Sequence, residues 1–184
     1  MERMDPRSRR DRFGSRINRD HSPILAHGVP WVSVMLLSLV PFLPVIAPAP
    51  VLPPFAFLAL LSWRFLRPGL FPPWAGLPLG LFDDLYSGQP FGSGILLFSL
   101  ALLAVELFEV RFPWRNFLLD WLSAAVLILA YLLLAAVISG ERIATLQLQI
   151  LGPQAVVSVL LFPIVARLVA LLDGLRLMRV RRIG

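Results

Sequence analysis

Apolar residues gather along the chain in six blocks, at about positions 29–47, 51–66, 70–85, 93–110, 117–139 and 150–172, parted by short stretches rich in proline, glycine and arginine. Blocks of this size approach the ~20 residues with which a helix crosses ~30 Å of hydrocarbon. Lipid offers no partners to backbone N–H and C=O groups, and helices of this length satisfy those groups internally. The pattern therefore predicts an all-α, polytopic membrane bundle of about six transmembrane helices. The fifth block is the cleanest, apolar except for Asp120 and Ser123. In the first, Pro41 and Pro44 should kink or shorten the helix. The second and third blocks are short and proline-rich, which leaves a re-entrant third segment and only five spans as an alternative.

Composition agrees. Of 184 residues, 58% are hydrophobic and 15% charged, with mean hydropathy +0.78, against roughly 25% charged in soluble globular proteins. One integral membrane domain, residues 29–175, is expected between an arginine-rich tail at 1–28 and a basic C-terminus at 176–184. All 17 basic residues are arginines and the formal net charge is +6. They sit at the two ends and in short loops, as the positive-inside rule and attraction to anionic headgroups require. With the N-terminus in the cytoplasm and six spans, Arg64, Arg67, Arg111, Arg115 and the C-terminal cluster fall inside and only Arg142 falls outside. Five spans would put the C-terminal arginines outside, against the rule. The tail, with its many arginines and no apolar periodicity, has a composition expected to be disordered. A basic stretch before an apolar block has the look of a signal peptide, with APAP at 47–50 as a poor cleavage site. Further apolar blocks follow, and the first is read as an anchor.

Much chemistry is excluded by what the spans lack. Without cysteine there are no disulfides, thiolate metal sites or thiol nucleophiles. His21 and His27 are the only histidines and precede the first block, so neither a serine–histidine pair nor a His/Glu metal cluster can form within the spans. No P-loop or dinucleotide fingerprint is present, and no basic module interleaved with aromatics indicates nucleic acid. The chain is read as non-enzymatic, without cofactor or metal. Glu106, Glu109, Asp120 and Arg167 are charges near the predicted cytoplasmic ends of the spans. Glu106 and Arg167 lie at similar depth and could form an intramembrane ion pair, snorkelling to the headgroups being the simpler account. Trp31, Trp63, Trp74, Trp114 and Trp121 lie near segment ends, as an interfacial belt requires.

The stretch GLFDDLYSGQPFG, from Gly80 to Gly92, stands apart because it sets Asp83 and Asp84 side by side. Positions four apart share a helix face, so Gly76, Gly80 and Asp84 form a stripe of two absent side chains and one carboxylate that another helix can approach closely. Gly88 suits a left-handed helix end and Pro90 prevents continuation, so the aspartates occupy the last turn. A carboxylate there meets the negative end of the helix dipole. The next helix begins near Gly92 and Ser93, and its free N–H groups could take one carboxylate across the turn. Asp83 points about 100° away and is the better candidate for a solvated carboxylate at the outer interface. Acid–base pairing is poorly served, since adjacent residues on a helix diverge.

The pattern G-L-x-x-D-x-x-S-G-x-x-x-G, carried here by Gly80, Leu81, Asp84, Ser87, Gly88 and Gly92, precedes a long apolar hairpin. With the small size, about six spans and an uncharged first outer turn, it resembles the MreD family of rod shape-determining membrane proteins over nearly the whole chain. The resemblance implies a non-catalytic inner-membrane scaffold of the bacterial cell-elongation machinery, concerned with rod shape and peptidoglycan synthesis. Its implied partners are MreC, RodA with its penicillin-binding transpeptidase partner, MreB indirectly, and membrane lipids. Its implied fold is similar to the substrate-binding subunits of energy-coupling-factor transporters. On this reading Gly76, Gly80, Asp84, Ser87, Gly88, Pro90 and Gly92 shape the packing against a partner's transmembrane helix, with Asp84 as a specificity element. A rival reading, the substrate-binding subunit of a small-molecule transporter, needs a polar cavity near the midplane. Ser38, Ser99, Ser123 and Ser158 are few and scattered groups from which to build one.

Overall fold

Phe55 to Leu66 is apolar on every side except at its end, and it forms the helix around which the rest of the chain is arranged. The computed structural model describes residues 19–21, 23–42, 52–111, 116–140, 145–176 and 179–181, and among these are six α-helices. They are α1 (Pro23–Ser38), α2 (Phe55–Leu66), α3 (Gly76–Tyr86), α4 (Ser93–Arg111), α5 (Phe117–Ile138) and α6 (Thr145–Arg176). Every residue of α2 from Ala56 to Arg64 is buried, and α1, α4, α5 and α6 all pack on it. A helix of 12 residues extends only ~18 Å, well short of the hydrocarbon thickness, so its length suits a core position rather than a span. α3 is similarly short and lies against α4 and α1. Three helices, α4, α5 and Ile150–Arg176 of α6, are long and apolar enough to cross a membrane.

Proline sets several boundaries. α1 starts earlier than the hydrophobic block, at Pro23, and ends at Ser38, where a short 3-10 turn over Val40–Phe42 carries Pro41. Pro53 and Pro54 immediately precede α2, and proline is tolerated there because the first N–H groups of a helix have no intrahelical partner. Pro44 lies outside the described residues.

A short strand β1 (Arg19–His21) pairs antiparallel with β2 (Arg179–Arg181), Asp20 opposite Val180. Both ends of the described chain thus meet at one end of the bundle, called here the terminal end. The opposite, distal end holds the C-termini of α1, α3 and α5 and the N-termini of α2, α4 and α6. The terminal end carries the ion pairs: Arg64 with Glu109 at 3.0 Å, Arg67 with Asp173 at 2.7 Å, and Arg176 with Asp173 at 3.5 Å. The hydrogen bond and charge of Asp173 push the Arg67 guanidinium pKa further up. Glu106 and Arg167 are not among the ion pairs of the described residues. The helices select differently: central α2 brings Arg64 to Glu109, one turn further along α4 than Glu106, while Arg167 is exposed.

Trp63 departs from the expected tryptophan belt. Trp63 is fully buried, donating from Nε1 to Ser33 Oγ at 2.8 Å, because the helix that carries it is central rather than spanning. Trp31 packs on Phe71 and Trp74, Trp121 donates to the Val159 carbonyl, and Trp114 lies outside the described residues. Trp63→Phe removes one buried hydrogen bond and shrinks a fully buried side chain, so it is expected to lower stability by about 2 kcal/mol in a detergent unfolding titration.

Candidate functional site

The loop between α3 and α4 is a tight reversal built on glycine. Gly88 and Gly92 adopt φ of +72° and +98°, a region that costs glycine little and other residues much. Between them Ser87 Oγ accepts from the Gln89 N–H at 3.4 Å, and the Pro90 carbonyl accepts from the Ser93 N–H at 3.0 Å. The turn folds α4 back along α3 with backbone nearly on backbone. A Cβ added to Gly76 would lie 2.6 Å from Ser99 Cα, one on Gly80 2.4 Å from the Gly94 carbonyl oxygen, and one on Gly94 2.8 Å from the Gly80 carbonyl oxygen.

Asp84 closes this contact at its tip. Its Oδ2 accepts from the N–H groups of Gly92 at 2.9 Å and Ile95 at 3.3 Å, and its Oδ1 accepts from the Gly94 N–H at 2.6 Å and lies 3.3 Å from Ser93 Oγ. The carboxylate is thus the N-terminal cap of α4, supplied by the preceding helix. This resolves the conflict with the α3 dipole: antiparallel packing puts the negative end of α3 beside the positive end of α4, and the bonded N–H groups decide the balance. The stripe expected to receive a partner's helix is filled from inside the chain instead. Gly76, Gly80 and Asp84 are all buried against α4.

Asp83 corrects a second expectation. It is 5% exposed, not solvated, because it turns towards the end of α1 while Asp84 turns towards α4. It lines a cavity of about 230 Å³ at the distal end, between α1, α2, α3, α5 and α6. The polar lining is Ser38, Asp83, Ser87, Gln89, Tyr131 and Gln154, set among Leu37, Pro53, Phe57 and Leu132. Ser38 Oγ, which donates to the Val34 carbonyl at 3.4 Å, stands beside the Asp83 carboxylate, Gln89 Nε2 donates to Tyr131 Oη at 3.2 Å, and Gln154 Nε2 donates to the Leu52 carbonyl at 2.8 Å. The Tyr131 ring stacks on Phe57, centroids 4.2 Å apart. Ser93 Oγ lies 3.3 Å from both Asp84 Oδ1 and Gln89 Oε1, so one hydroxyl links the cap to the cavity wall. Sequence reasoning noted Ser38, Asp83 and Ser87 but missed Gln89, Tyr131 and Gln154. The signal for the last two was a hydrogen-bonding side chain within the largely apolar blocks at 117–139 and 150–172.

Two further hollows, each about 230 Å³ and mostly apolar, lie one after the other between α4 and α5. Val105, Phe108, Leu122 and Val126 line the one nearer the terminal end, and Leu97, Ala104, Leu127 and Ala130 the other. Among the described residues no cluster of acids or histidines could hold a metal ion.

The family model for the rod shape-determining protein MreD matches residues 26–172. The chain belongs to the MreD family. That places it among proteins of rod shape determination, a structural family not known as enzymatic, and its long apolar helices fit a membrane protein. No curated protein and no solved structure matches it. In this MreD chain the α3–α4 reversal, the distal cavity and the α4–α5 hollows all fall inside the matched residues.

Proposed function

We propose that this chain is a non-catalytic scaffold of the cell-elongation machinery in the bacterial inner membrane, with the arginine-rich terminal end in the cytoplasm. It gathers MreC, RodA and the penicillin-binding transpeptidase partner of RodA through helix–helix contacts, reaches MreB indirectly, and thereby regulates peptidoglycan synthesis. Family membership supports the setting, and the paired apolar hollows along α4 and α5 carry the helix–helix part. In lipid, helix association depends on close packing rather than on expelling water from apolar surface, so a lengthwise seam into which another helix can pack is what recruitment requires. The rigid α3–α4 unit holds α4 in place from the other side.

The rival transport reading draws support from the polar cavity. That cavity lies towards the distal end rather than halfway along the helices, and rod-shape membership favours the scaffold. A pull-down of the tagged protein from its native membrane, read by mass spectrometry, separates the two. Wild type is expected to recover MreC, RodA and the transpeptidase. Val126→Trp, which fills the seam from a half-exposed position, is expected to reduce their recovery about tenfold, as the loss of ~1.4 kcal/mol of binding would. An ATPase coupling module without wall-synthesis proteins would overturn the scaffold reading.

A further inference from the structure

The two adjacent aspartates are in unequal positions. Asp84 is complete, since N–H groups of α4 and the Ser93 hydroxyl surround its carboxylate. Asp83 is as deeply buried, yet the hydroxyl that reaches its carboxylate is that of Ser38, which also lies 3.4 Å from the Val34 carbonyl it donates to, and the ion pairs of the described residues lie at the other end of the bundle. Its carboxylate borders open space in the distal cavity. Buried charges in proteins are paired or bind an ion, and an ionisable group inside a membrane helix bundle marks a functional site by default.

We propose that the distal cavity binds a small organic cation carrying a primary ammonium group, with Asp83 as its counter-ion. This goes beyond the scaffold reading and does not depend on it. The remaining wall suits such a ligand. Tyr131 Oη accepts from Gln89, which leaves its own O–H and a second lone pair for a ligand. Gln154 spends an amide N–H on Leu52 and keeps its carbonyl oxygen as an acceptor for ammonium protons. Phe57 and Tyr131 both line the cavity, so aromatic rings stand beside a cation held there. Among the described residues no arginine or histidine lines the cavity, which disfavours phosphate and carboxylate ligands. The space of about 230 Å³ equals the share of roughly seven to eight waters in the liquid, enough for a short amine. An ethanolamine phospholipid headgroup presents the same ammonium but would bring its phosphate beside Asp83 and Asp84, so the free amine is the better occupant.

Thermal unfolding of the full chain in amine-free detergent tests this, with methylammonium or ethylammonium chloride set against sodium chloride at equal ionic strength. Wild type and Glu106→Gln are expected to melt at a temperature that rises with ammonium concentration, as binding to the folded state alone requires, and Asp83→Asn is expected to lose that rise. Should Asp83→Asn not fold, Tyr131→Phe keeps the ring and the carboxylate and is expected to raise the half-saturating concentration by roughly tenfold. Equal melting in ammonium and sodium salts, or an undiminished ammonium response in the variant that folds, overturns the proposal. Nanodiscs distinguish the sources: an ethylammonium response that persists with phosphatidylethanolamine present assigns the site to the free amine, and one that survives only in phosphatidylglycerol assigns it to the headgroup.

Discussion

Gly80→Ala is expected to destabilise the protein by about 3 kcal/mol, at the upper end of the cost of overpacking a close-packed interior. The added carbon would sit 2.4 Å from the Gly94 carbonyl oxygen, 2.5 Å from its carbon and 2.6 Å from Ile95 Cα. All three are backbone atoms, so no side chain can rotate to make room and the whole of α4 must move. Moving it loosens the Asp84 cap, because the bonds from Gly92, Gly94 and Ile95 depend on the same approach. Gly174→Ala in α6 is the matched control. Nothing lies within 4 Å of the carbon added there, and alanine is intrinsically favoured over glycine in a helix by ~1 kcal/mol. The pair of variants, compared by unfolding in detergent, should therefore shift in opposite directions. A Gly80→Ala protein as stable as wild type would mean that α3 and α4 stand further apart than described.

The parts of this site that could be read from sequence are those set by local rules. Four-residue spacing put Gly76, Gly80 and Asp84 on one face, and the positive φ of Gly88 and the ring of Pro90 stop α3 where expected, with the aspartates in its last turn. Which helix covers that face is a tertiary matter, and spacing is silent on it. The covering helix is the next one in the chain, joined through a reversal so short that a partner's helix has no room there. Asp83 shows the same limit in another form. Its divergence from Asp84 follows from 100° per residue, but its place in the wall of the distal cavity is set by the helices that close that cavity around it, among them α5 with Tyr131 and α6 with Gln154. Trp63 and Arg64 read as interfacial because they stand near the end of a block. They are buried because α2 is too short to span and is surrounded, and the same placement makes Glu109, not Glu106, the ion-pair partner on α4. The overall all-α bundle was legible because blocks of uninterrupted apolar sequence have few other solutions in lipid.

Asp84→Ala is expected to cost still more than any single cap on a soluble helix, for which ~1 kcal/mol is typical. Three N–H groups, on Gly92, Gly94 and Ile95, lose their acceptor together, and the site is too enclosed by α3 for water to replace a carboxylate fully. With each buried donor left unsatisfied worth about 1–3 kcal/mol and partial relaxation of the turn, a net loss of about 3–4 kcal/mol follows. Asp84→Asn separates charge from shape. It keeps one acceptor oxygen but places an NH₂ group where N–H donors converge, so it is expected to lie between wild type and alanine. Hydrogen exchange gives the specific readout. Amides at positions 92–98 should exchange much faster in Asp84→Ala, while those of α5 and α6 change little. Uniformly faster exchange would make Asp84 a general determinant of stability, and unchanged exchange at 92–98 would remove it as the cap of α4. The local outcome would explain why a chain with so few charged residues in its helices keeps one at this position: it ties the end of α3 to the start of the antiparallel α4 with a charge-assisted cap.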